Sequence, residues 1–388
     1  MISASQSAAP PDSAIRLSAQ LHAHICAEIA AAGGQLPFDA FMDLALYAPG
    51  LGYYVAGTHK FGADGDFVTA PELSPLFGQC VAAQSAEILA QLGGGAVLEF
   101  GAGSGALAVA VLRELEQRSM LPEHYWILEL SPELMERQRQ RLHAEIPHLA
   151  PRCAWLTTLP QQFRGVVLAN EVLDAMPVSR FQVRDDGSID EIFVIDQAGT
   201  LQEATAAPQS PGLIEAVAAV QAAGWAQTPG YTSEINLRLT PWLAALGAAM
   251  DAGAVVLMDY GYPRSGYYQA DRTQGTLLCH QRHQIHDDPY RQPGLQDITA
   301  HVDFTAVAEA GIAAGFELAG FTTQAHFLIG CGIDQLFTME TVTPAQVQAA
   351  KQLLLPTAMG ERFKVLGLTK GIENAWCGFS MRDLRERL

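Results

Sequence analysis

The chain has 388 residues, of which 49% are hydrophobic and 16% charged, so it is long and apolar enough to bury a large core. A formal net charge of −18 leaves no general basic surface for phosphates, which argues against nucleic-acid binding and favours a basic partner. No apolar run approaches the roughly 18 residues of a membrane span, and the first residues lack a secretory signal pattern. Six scattered cysteines without a C-x-x-C pair are typical of reduced thiols, so we expect a cytoplasmic location.

The N-terminal part is predicted to be helical, with one structured loop. Residues 17–32 and 38–46 have helical patterns, whereas residues 48–75 are rich in Gly, Pro and aromatic side chains. Ser74 followed by Pro75 is typical of a helix N-cap and first turn. We therefore expect a third helix there, ending just before the next strand.

From residue 96 onward, strand and helix patterns alternate, which indicates an α/β fold with a doubly wound, mostly parallel Rossmann-like sheet. Two segments interrupt this rhythm: residues 180–196 read as a hairpin followed by a helix at 213–223, and residues 262–301 read as a long polar lid or binding loop. The tail from Thr343 has a helix start and a strand-like FKVLGL segment. The expected strands are 96–100, 125–130, 153–156, 165–169 and 254–259, with one or two more over 318–330; the helices are 106–117, 132–144 and 304–314.

These patterns predict a discontinuous domain organisation. Residues 1–95 form an N-terminal helical and cofactor-lid region, and residues 96–180 together with 250–335 form the Rossmann-like core. Residues 181–249 are an inserted hairpin and helix, and residues 336–388 are a C-terminal helix and strand extension.

The most informative stretch is VLEFGAGSGAL, a strand, a glycine turn and a helix start in succession. Gly101, Gly103 and Gly105 allow close approach of the backbone to a ligand. Glu99 would repel a pyrophosphate but would favour a cationic ligand such as S-adenosylmethionine (SAM). Taken alone, the pattern also fits a tight strand–helix turn or, counting Ala106, the G-x-G-x-x-A turn of a nicotinamide-dependent dehydrogenase.

Glu129 ends the second predicted strand, 24 residues beyond Gly105. An acid at this point can accept hydrogen bonds from both ribose hydroxyls of a nucleoside. The alternative is an acid that only serves the start of the next helix, since Ser131 and Pro132 follow it.

The fourth predicted strand ends in Asn170 and Glu171, with Asp174 three residues later. These side chains are expected to face the crevice where ligands bind such sheets. Because a buried carboxylate without a partner is costly, a basic neighbour or a cationic substrate should accompany them. A helix N-cap at Asn170 or Asp174 is the alternative.

His280, His283 and His286 have a spacing that would place them on one helix face. The flanking sequence has no strong helical pattern, and zinc sites normally have a tighter ligand framework, so we predict no metal site. A hydrogen-bonding lid over the substrate is the preferred interpretation.

Several of these motifs together resemble the MidA family of SAM-dependent methyltransferases, class I enzymes whose mitochondrial members serve respiratory complex I assembly as protein arginine methyltransferases. The resemblance covers nearly the whole chain, and the absence of a convincing mitochondrial presequence favours a bacterial member. Its motifs are GDFVTAPELSPLFG, VLEFGAGSG, ILELSPEL, NEVLDAMPVSRF, MDYGYP, GTLLCHQRHQIHDDPY and QDITAHVDF.

The resemblance implies SAM as the cofactor and a basic protein as the substrate, a respiratory complex I subunit in the family's case. It also implies a set of site residues by position. Cofactor binding is expected from Glu99, Gly101, Gly103, Gly105, Glu129, Asn170, Asp66 and Thr69, with the last two in the loop that closes over the cofactor; substrate binding and catalysis are expected from Glu171 and Asp174.

The sequence therefore predicts direct transfer of a methyl group to an arginine nitrogen. Paired carboxylates would hold two nitrogens of the guanidinium and leave electron density on the third. Glu171 is the first candidate for this role, Asp174 the second and Glu234 the third. The alternatives are a SAM-binding assembly chaperone without turnover, a small-molecule or carboxylate methyltransferase, and a dehydrogenase, against which Glu99 argues.

Overall fold

The computed structural model describes residues 12–56, 69–282, 284–336, 343–373 and 375–388. Its helices are α1 (Asp12–Ala31), α2 (Phe38–Tyr47), α3 (Ala70–Leu73), α4 (Pro75–Leu92), α5 (Ala106–Gln117), α6 (Pro132–Glu145), α7 (Leu213–Ala222), α8 (Leu239–Ala249), α9 (Arg264–Tyr267), α10 (Phe304–Ala313), α11 (Gln324–Gly330) and α12 (Pro344–Leu354). Its strands are β1 (Leu36–Pro37), β2 (Ala96–Phe100), β3 (Tyr125–Leu128), β4 (Cys153–Leu156), β5 (Phe163–Asn170), β6 (Ser179–Val183), β7 (Ile189–Gln197), β8 (Thr200–Ala206), β9 (Thr232–Ile235), β10 (Met250–Tyr262), β11 (Leu278–Gln281), β12 (Gln284–His286), β13 (Asp297–Thr299), β14 (Val302–Asp303), β15 (Glu317–Thr323) and β16 (Phe363–Lys370).

These elements form two compact units. We call the first the large-sheet unit; it consists of the described residues of Val68–Asp174, Arg238–Tyr267 and His301–Leu388. We call the second the two-sheet unit; it consists of the described residues of Met1–Phe67, Ala175–Leu237 and Tyr268–Ala300.

The large-sheet unit contains the strand order β15-β16-β10-β5-β2-β3-β4, with β14 added beside β10. Strands β2, β3, β4, β5 and β10 are mutually parallel, and β16 is antiparallel to both of its neighbours. The chain proceeds from β2 outward to β4 and then returns to the other side of β2 with β5. This reversal makes the carboxyl ends of β2 and β5 the topological switch point, where ligands bind in open α/β sheets.

The core of the large-sheet unit explains why its strands are so apolar. β2 is buried along its whole length, as is typical of a parallel strand covered by helices on both faces. On one face α4 packs closely on α5, because a Cβ at Gly78 would lie only 2.4 Å from Cβ of Ala110. The start of α4 is as predicted: the Ser74 side chain accepts the N–H of Leu76, with Pro75 in the first turn.

The structure refines the expectations about this unit. Residues 318–330 hold β15, in keeping with the one or two strands expected there, and then helix α11. The strand-like tail is β16, which lies inside the sheet between β10 and β15. Residues 70–95, assigned from sequence to an N-terminal region, supply α3 and α4 to this unit. The place of β16 follows from its pairing with the distant strands β10 and β15, which a local sequence pattern does not encode.

The two-sheet unit contains a five-stranded antiparallel sheet, β1-β7-β6-β9 with β8 beside β7, and a three-stranded sheet, β12-β11-β13. The predicted hairpin is confirmed, since β6 and β7 pair around a turn where Gly187 has φ +82°. The predicted long lid of residues 262–301 instead contains α9 and three paired strands. The core of this unit gathers side chains of both sheets and helices, including Leu21, Ile25, Phe38, Phe41, Val194 and Ile298.

Among the described residues, no helix combines the length and apolar character needed to cross a membrane. All six cysteines carry free thiols.

Candidate active site

The glycine turn lies between the carboxyl end of β2 and the N-terminus of α5. Gly101, Gly103 and Gly105 have φ values of +59°, +53° and +84°, a region in which a side chain is strained. The N–H of Gly101 donates to the carbonyl of Leu128 at 3.0 Å, which ties the turn to the end of β3. The turn therefore presents backbone, rather than side chains, at the switch point of the sheet.

Glu99 lies inside the sheet, only 2% exposed. The Tyr125 hydroxyl donates to its Oε2 at 2.6 Å. Burial raises the pKa of Glu99 to about 7; the Tyr125 hydrogen bond opposes this shift, and nearby Glu129 adds to it. A cation placed near this group would favour its ionised form.

Glu129 follows β3 directly and is also buried. Its Oε1 accepts the backbone N–H groups of Leu130 and Ser131 at 2.9 and 3.0 Å, and its Oε2 accepts Nε2 of Gln138 at 3.0 Å. The same Gln138 nitrogen donates to the carbonyl of Gly103 at 2.9 Å. Glu129 thus holds the backbone of the two residues before α6, and Gln138 links this acid to the glycine turn.

The segment that follows the predicted cofactor loop is also fixed to the glycine turn. Glu72 in α3 accepts hydrogen bonds from the hydroxyl of Ser104 and from Nη1 of Arg141, the latter at 3.2 Å. Arg141 also donates to the Ser104 hydroxyl at 2.7 Å. Thr69 occupies the N-cap position of α3 without a side-chain cap bond, and Asp66 lies outside the described residues.

Asn170 and Glu171 lie at the carboxyl end of β5, as the sequence predicts. Nδ2 of Asn170 donates to Oε1 of Glu171 at 3.0 Å. Oδ1 of Asn170 is buried and accepts no hydrogen bond within the part of the chain that the structure describes. Glu171 has φ +53°, the left-handed region that a non-glycine residue adopts only at a cost of about 1–3 kcal/mol. Such strained residues cluster at functional sites.

The sequence analysis did not single out Asp259, which ends the buried apolar run of β10 beside Glu171. Its Oδ2 accepts the N–H groups of Leu173 and Asp174 at 2.9 and 3.2 Å. The pKa of Asp259 lies well above its ordinary value, because the group is buried and because Asp174 and Glu171 are close to it. The sequence contained a signal for Asp259, because an acid at the carboxyl end of an apolar strand is the same pattern that identified Glu99 and Glu171.

The remaining candidates lie in the two-sheet unit. Glu234 is buried, and its Oε2 accepts the N–H and hydroxyl of Thr276 at 2.9 and 3.1 Å, with Nε of Arg180 4.0 Å from Oε1. His280 and His286 lie on the paired strands β11 and β12 rather than on one helix face, and His283 is outside the described residues.

These residues fit a nucleoside cofactor with a cationic group. The glycine turn has its first glycine, Gly101, exposed, and Glu99 and Glu129 place two acids beside the turn. The buried Oδ1 of Asn170 is an acceptor for a ligand N–H or O–H. Two acids beside the turn disfavour a pyrophosphate. The fold and the site therefore define the class of SAM-dependent methyltransferases.

Comparison with known proteins agrees with this class. The family model for S-adenosyl-L-methionine-dependent methyltransferases matches residues 80–322. A Burkholderia thailandensis crystal structure with bound S-adenosyl-homocysteine is 40% identical, with a TM-score of 0.92 over 98% of this chain and 100% of that chain. Two mitochondrial relatives, the protein arginine methyltransferase NDUFAF7 of Danio rerio and its Drosophila melanogaster homolog, are each 28% identical. The matches cover 88% and 87% of this chain and 85% and 82% of those proteins, respectively.

The chain belongs to this family of SAM-dependent methyltransferases, in agreement with the MidA resemblance, and SAM is its cofactor.

Proposed function

We propose that this methyltransferase acts on an arginine guanidinium of a basic protein. The observation that carries the proposal is the grouping of three carboxyl groups, Glu171, Asp174 and Asp259, at the carboxyl ends of β5 and β10. The names of the NDUFAF7 relatives support the same substrate class. A subunit of respiratory complex I is the specific partner that the MidA resemblance suggests, and we propose the cytoplasm as the compartment.

Electrostatics favours a cationic substrate here. Like charges held close together in a buried site raise one another's pKa and disfavour full ionisation. A guanidinium is protonated at any physiological pH and presents a planar fork of N–H groups that matches carboxylate oxygens. Binding an arginine side chain would therefore relieve the repulsion among Glu171, Asp174 and Asp259.

The chain's own residues supply binding and orientation. SAM, when bound, supplies an electrophilic methyl carbon on a sulfonium. Glu171 and Asp174 accept N–H groups of the guanidinium, draw its positive charge towards the bonded nitrogens and leave electron density on the third. Asn170 Oδ1 offers one further acceptor for an N–H donor. Holding the acceptor nitrogen in line with the methyl carbon supplies much of the rate through proximity and orientation. The bond from carbon to sulfur breaks as the bond to nitrogen forms, and the proton that this nitrogen loses goes to a neighbouring carboxylate or to solvent.

The test uses SAM with a radiolabelled methyl group and a cell lysate as the source of substrates. We expect a labelled protein band that carries methylated arginine on peptide mass spectrometry. Glu171→Gln should abolish labelling while S-adenosyl-homocysteine binds within a few-fold of its original affinity. Glu317→Gln, the same change at an exposed position of the large-sheet unit, is the matched control and should label normally.

Other outcomes separate the alternatives. A labelled small molecule instead of a protein would support a small-molecule methyltransferase. Cofactor binding without any transferred label would support an assembly chaperone without turnover. Normal turnover by the Glu171→Gln variant would contradict the role given to Glu171.

A further inference from the structure

The segment that carries Glu171 and Asp174 leaves β5 in a strained conformation. Glu171 has φ +53°, so the backbone turns out of the strand at this residue. A left-handed non-glycine residue persists only where the surrounding structure fixes it. The contacts that fix this segment therefore decide where its two carboxylates lie.

The adjacent strand β10 supplies three backbone contacts of this segment. The N–H of Glu171 donates to the carbonyl of Met258 at 2.9 Å. The next residue of β10, Asp259, accepts the N–H groups of Leu173 and Asp174 on Oδ2. Its other oxygen, Oδ1, accepts the N–H of Tyr260 at 2.9 Å, which holds the carboxyl group in one orientation.

The same segment also lies beside the cofactor turn. A Cβ at Gly101 would lie 3.5 Å from Cγ2 of Val172, in ordinary van der Waals contact. Asp259 therefore fixes a segment in which Val172 lies next to Gly101 and is flanked by the proposed substrate acids. One carboxyl group of β10 thereby links the position of those acids to that of the glycine turn.

Charged groups face Asp259 from its two neighbouring strands, β5 and β16. Glu171 and Asp174 lie close to it on the β5 side. On β16, Lys364 is the residue opposite Asp259, and its Nζ donates to the carbonyls of Glu361 and Arg362. Burial lowers the pKa of Lys364 to about 8, so this group titrates on the alkaline side.

We propose that Asp259 is a positioning residue for methyl transfer, which holds Glu171 and Asp174 in register with the cofactor turn by accepting the N–H groups of Leu173 and Asp174. It acts through those residues and is not assigned a contact with the substrate. Its importance for transfer depends on the proposed function, whereas its hold on the segment does not.

The first test measures amide hydrogen exchange of residues 170–174 in the whole, substrate-free protein. Asp259→Ala should speed exchange of the Leu173 and Asp174 amides by at least about tenfold, since their acceptor is lost. Asp259→Asn keeps the size and one oxygen and should give a smaller increase. Asp251→Ala and Asp251→Asn are matched controls at an exposed position near the other end of β10 and should leave these amides unchanged.

The second test measures transfer and cofactor binding of the same variants. Asp259→Ala should lower kcat by about 100-fold, the size expected when reacting groups are displaced by about 1 Å, with S-adenosyl-homocysteine affinity within about threefold. Asp259→Asn keeps one accepting oxygen, so it should retain more of kcat than Asp259→Ala, with unchanged S-adenosyl-homocysteine affinity in both variants. If Asp259→Ala does not fold, the same measurements are compared between Asp259→Asn and the unsubstituted protein.

The results separate this proposal from the proposed function. If exchange of Leu173 and Asp174 is unchanged in both Asp259 variants, the positioning role is wrong. Faster exchange with wild-type kcat in both Asp259 variants would also overturn it. If the unsubstituted enzyme methylates a substrate other than arginine, the proposed function fails, and the exchange and kcat comparisons on that substrate still decide the role of Asp259.

Discussion

The Tyr125 hydroxyl oxygen lies 2.6 Å from Oε2 of Glu99, and both residues are buried in the central sheet. Tyr125 pairs with Val97 in the parallel β2–β3 register, and Glu99 is two residues further along β2. Residues two apart in a strand share a face, so the tyrosine side chain reaches along that face to the acid. This bond favours the ionised carboxylate, whereas burial opposes it.

We expect Glu99 to make the stability of the free protein depend on pH. Because the pKa of Glu99 is about 7 in the folded chain and ordinarily 4.5, the folded state holds a proton that the unfolded state releases. The free energy of unfolding should therefore fall between pH 4.5 and 7 and stay lower above pH 7. Glu99→Gln should remove this dependence and raise stability at pH 8 by up to about 3 kcal/mol, measured by denaturant unfolding.

The control for that series is Glu317→Gln, which removes a charge at an exposed position. It should follow the unsubstituted protein at every pH. A difference between Glu99→Gln and the unsubstituted protein that stays constant from pH 5 to 8 would show that Glu99 does not titrate in this range.

Cofactor binding should release a proton near pH 6.5. If Glu99 attends the cationic amino group of the cofactor, as proposed from the sequence, binding stabilises its ionised form and lowers its pKa. Calorimetry of S-adenosyl-homocysteine binding in two buffers of different ionisation enthalpy measures the released protons. Release should disappear in Glu99→Gln, and equal release in both proteins would assign the proton to another group.

Gln138 should matter for both stability and cofactor affinity. It is fully buried, donates to the Gly103 carbonyl and to Glu129, and accepts Nε1 of Trp155 at 2.8 Å. Gln138→Leu removes one hydrogen-bond partner from each of these three groups, so we expect a loss of about 2–4 kcal/mol in unfolding free energy. Affinity for S-adenosyl-homocysteine should fall at least about tenfold, because the glycine turn and Glu129 lose their link. Gln140→Leu, an exposed change in the same helix, is the control.

Glu171→Gly should separate stability from activity. Glycine tolerates φ +53°, and the change removes one of three grouped carboxyl groups. The free energy of unfolding should stay the same or increase by up to about 1 kcal/mol, so the melting temperature should not fall, while methyl transfer is lost. A clear fall in the melting temperature would mean that Glu171 serves the fold rather than the reaction.

Much of the fold could be predicted because its signals are local. The Ser74 cap, the buried runs of β2 and β5 and the glycine turn after Glu99 each depend on neighbours in sequence. The first five strands of the sheet follow from the alternation of apolar runs and helical periods. The position of β16 could not be predicted, because the pairing of a strand with segments about 45 and 110 residues away has no local signature.

The sequence by itself determined the family chemistry: a glycine turn after an acid, a second acid after the next strand, and an amide and two acids after β5. Only the tertiary structure decided that Asp259 joins that last group, that Gln138 links Glu129 to the glycine turn, and that Glu234 is held with Arg180 and Thr276 in the other unit. The physical reason is that hydrogen bonds and charge interactions depend on distance in space. Strand pairing sets that distance, and the spacing of residues along the chain does not.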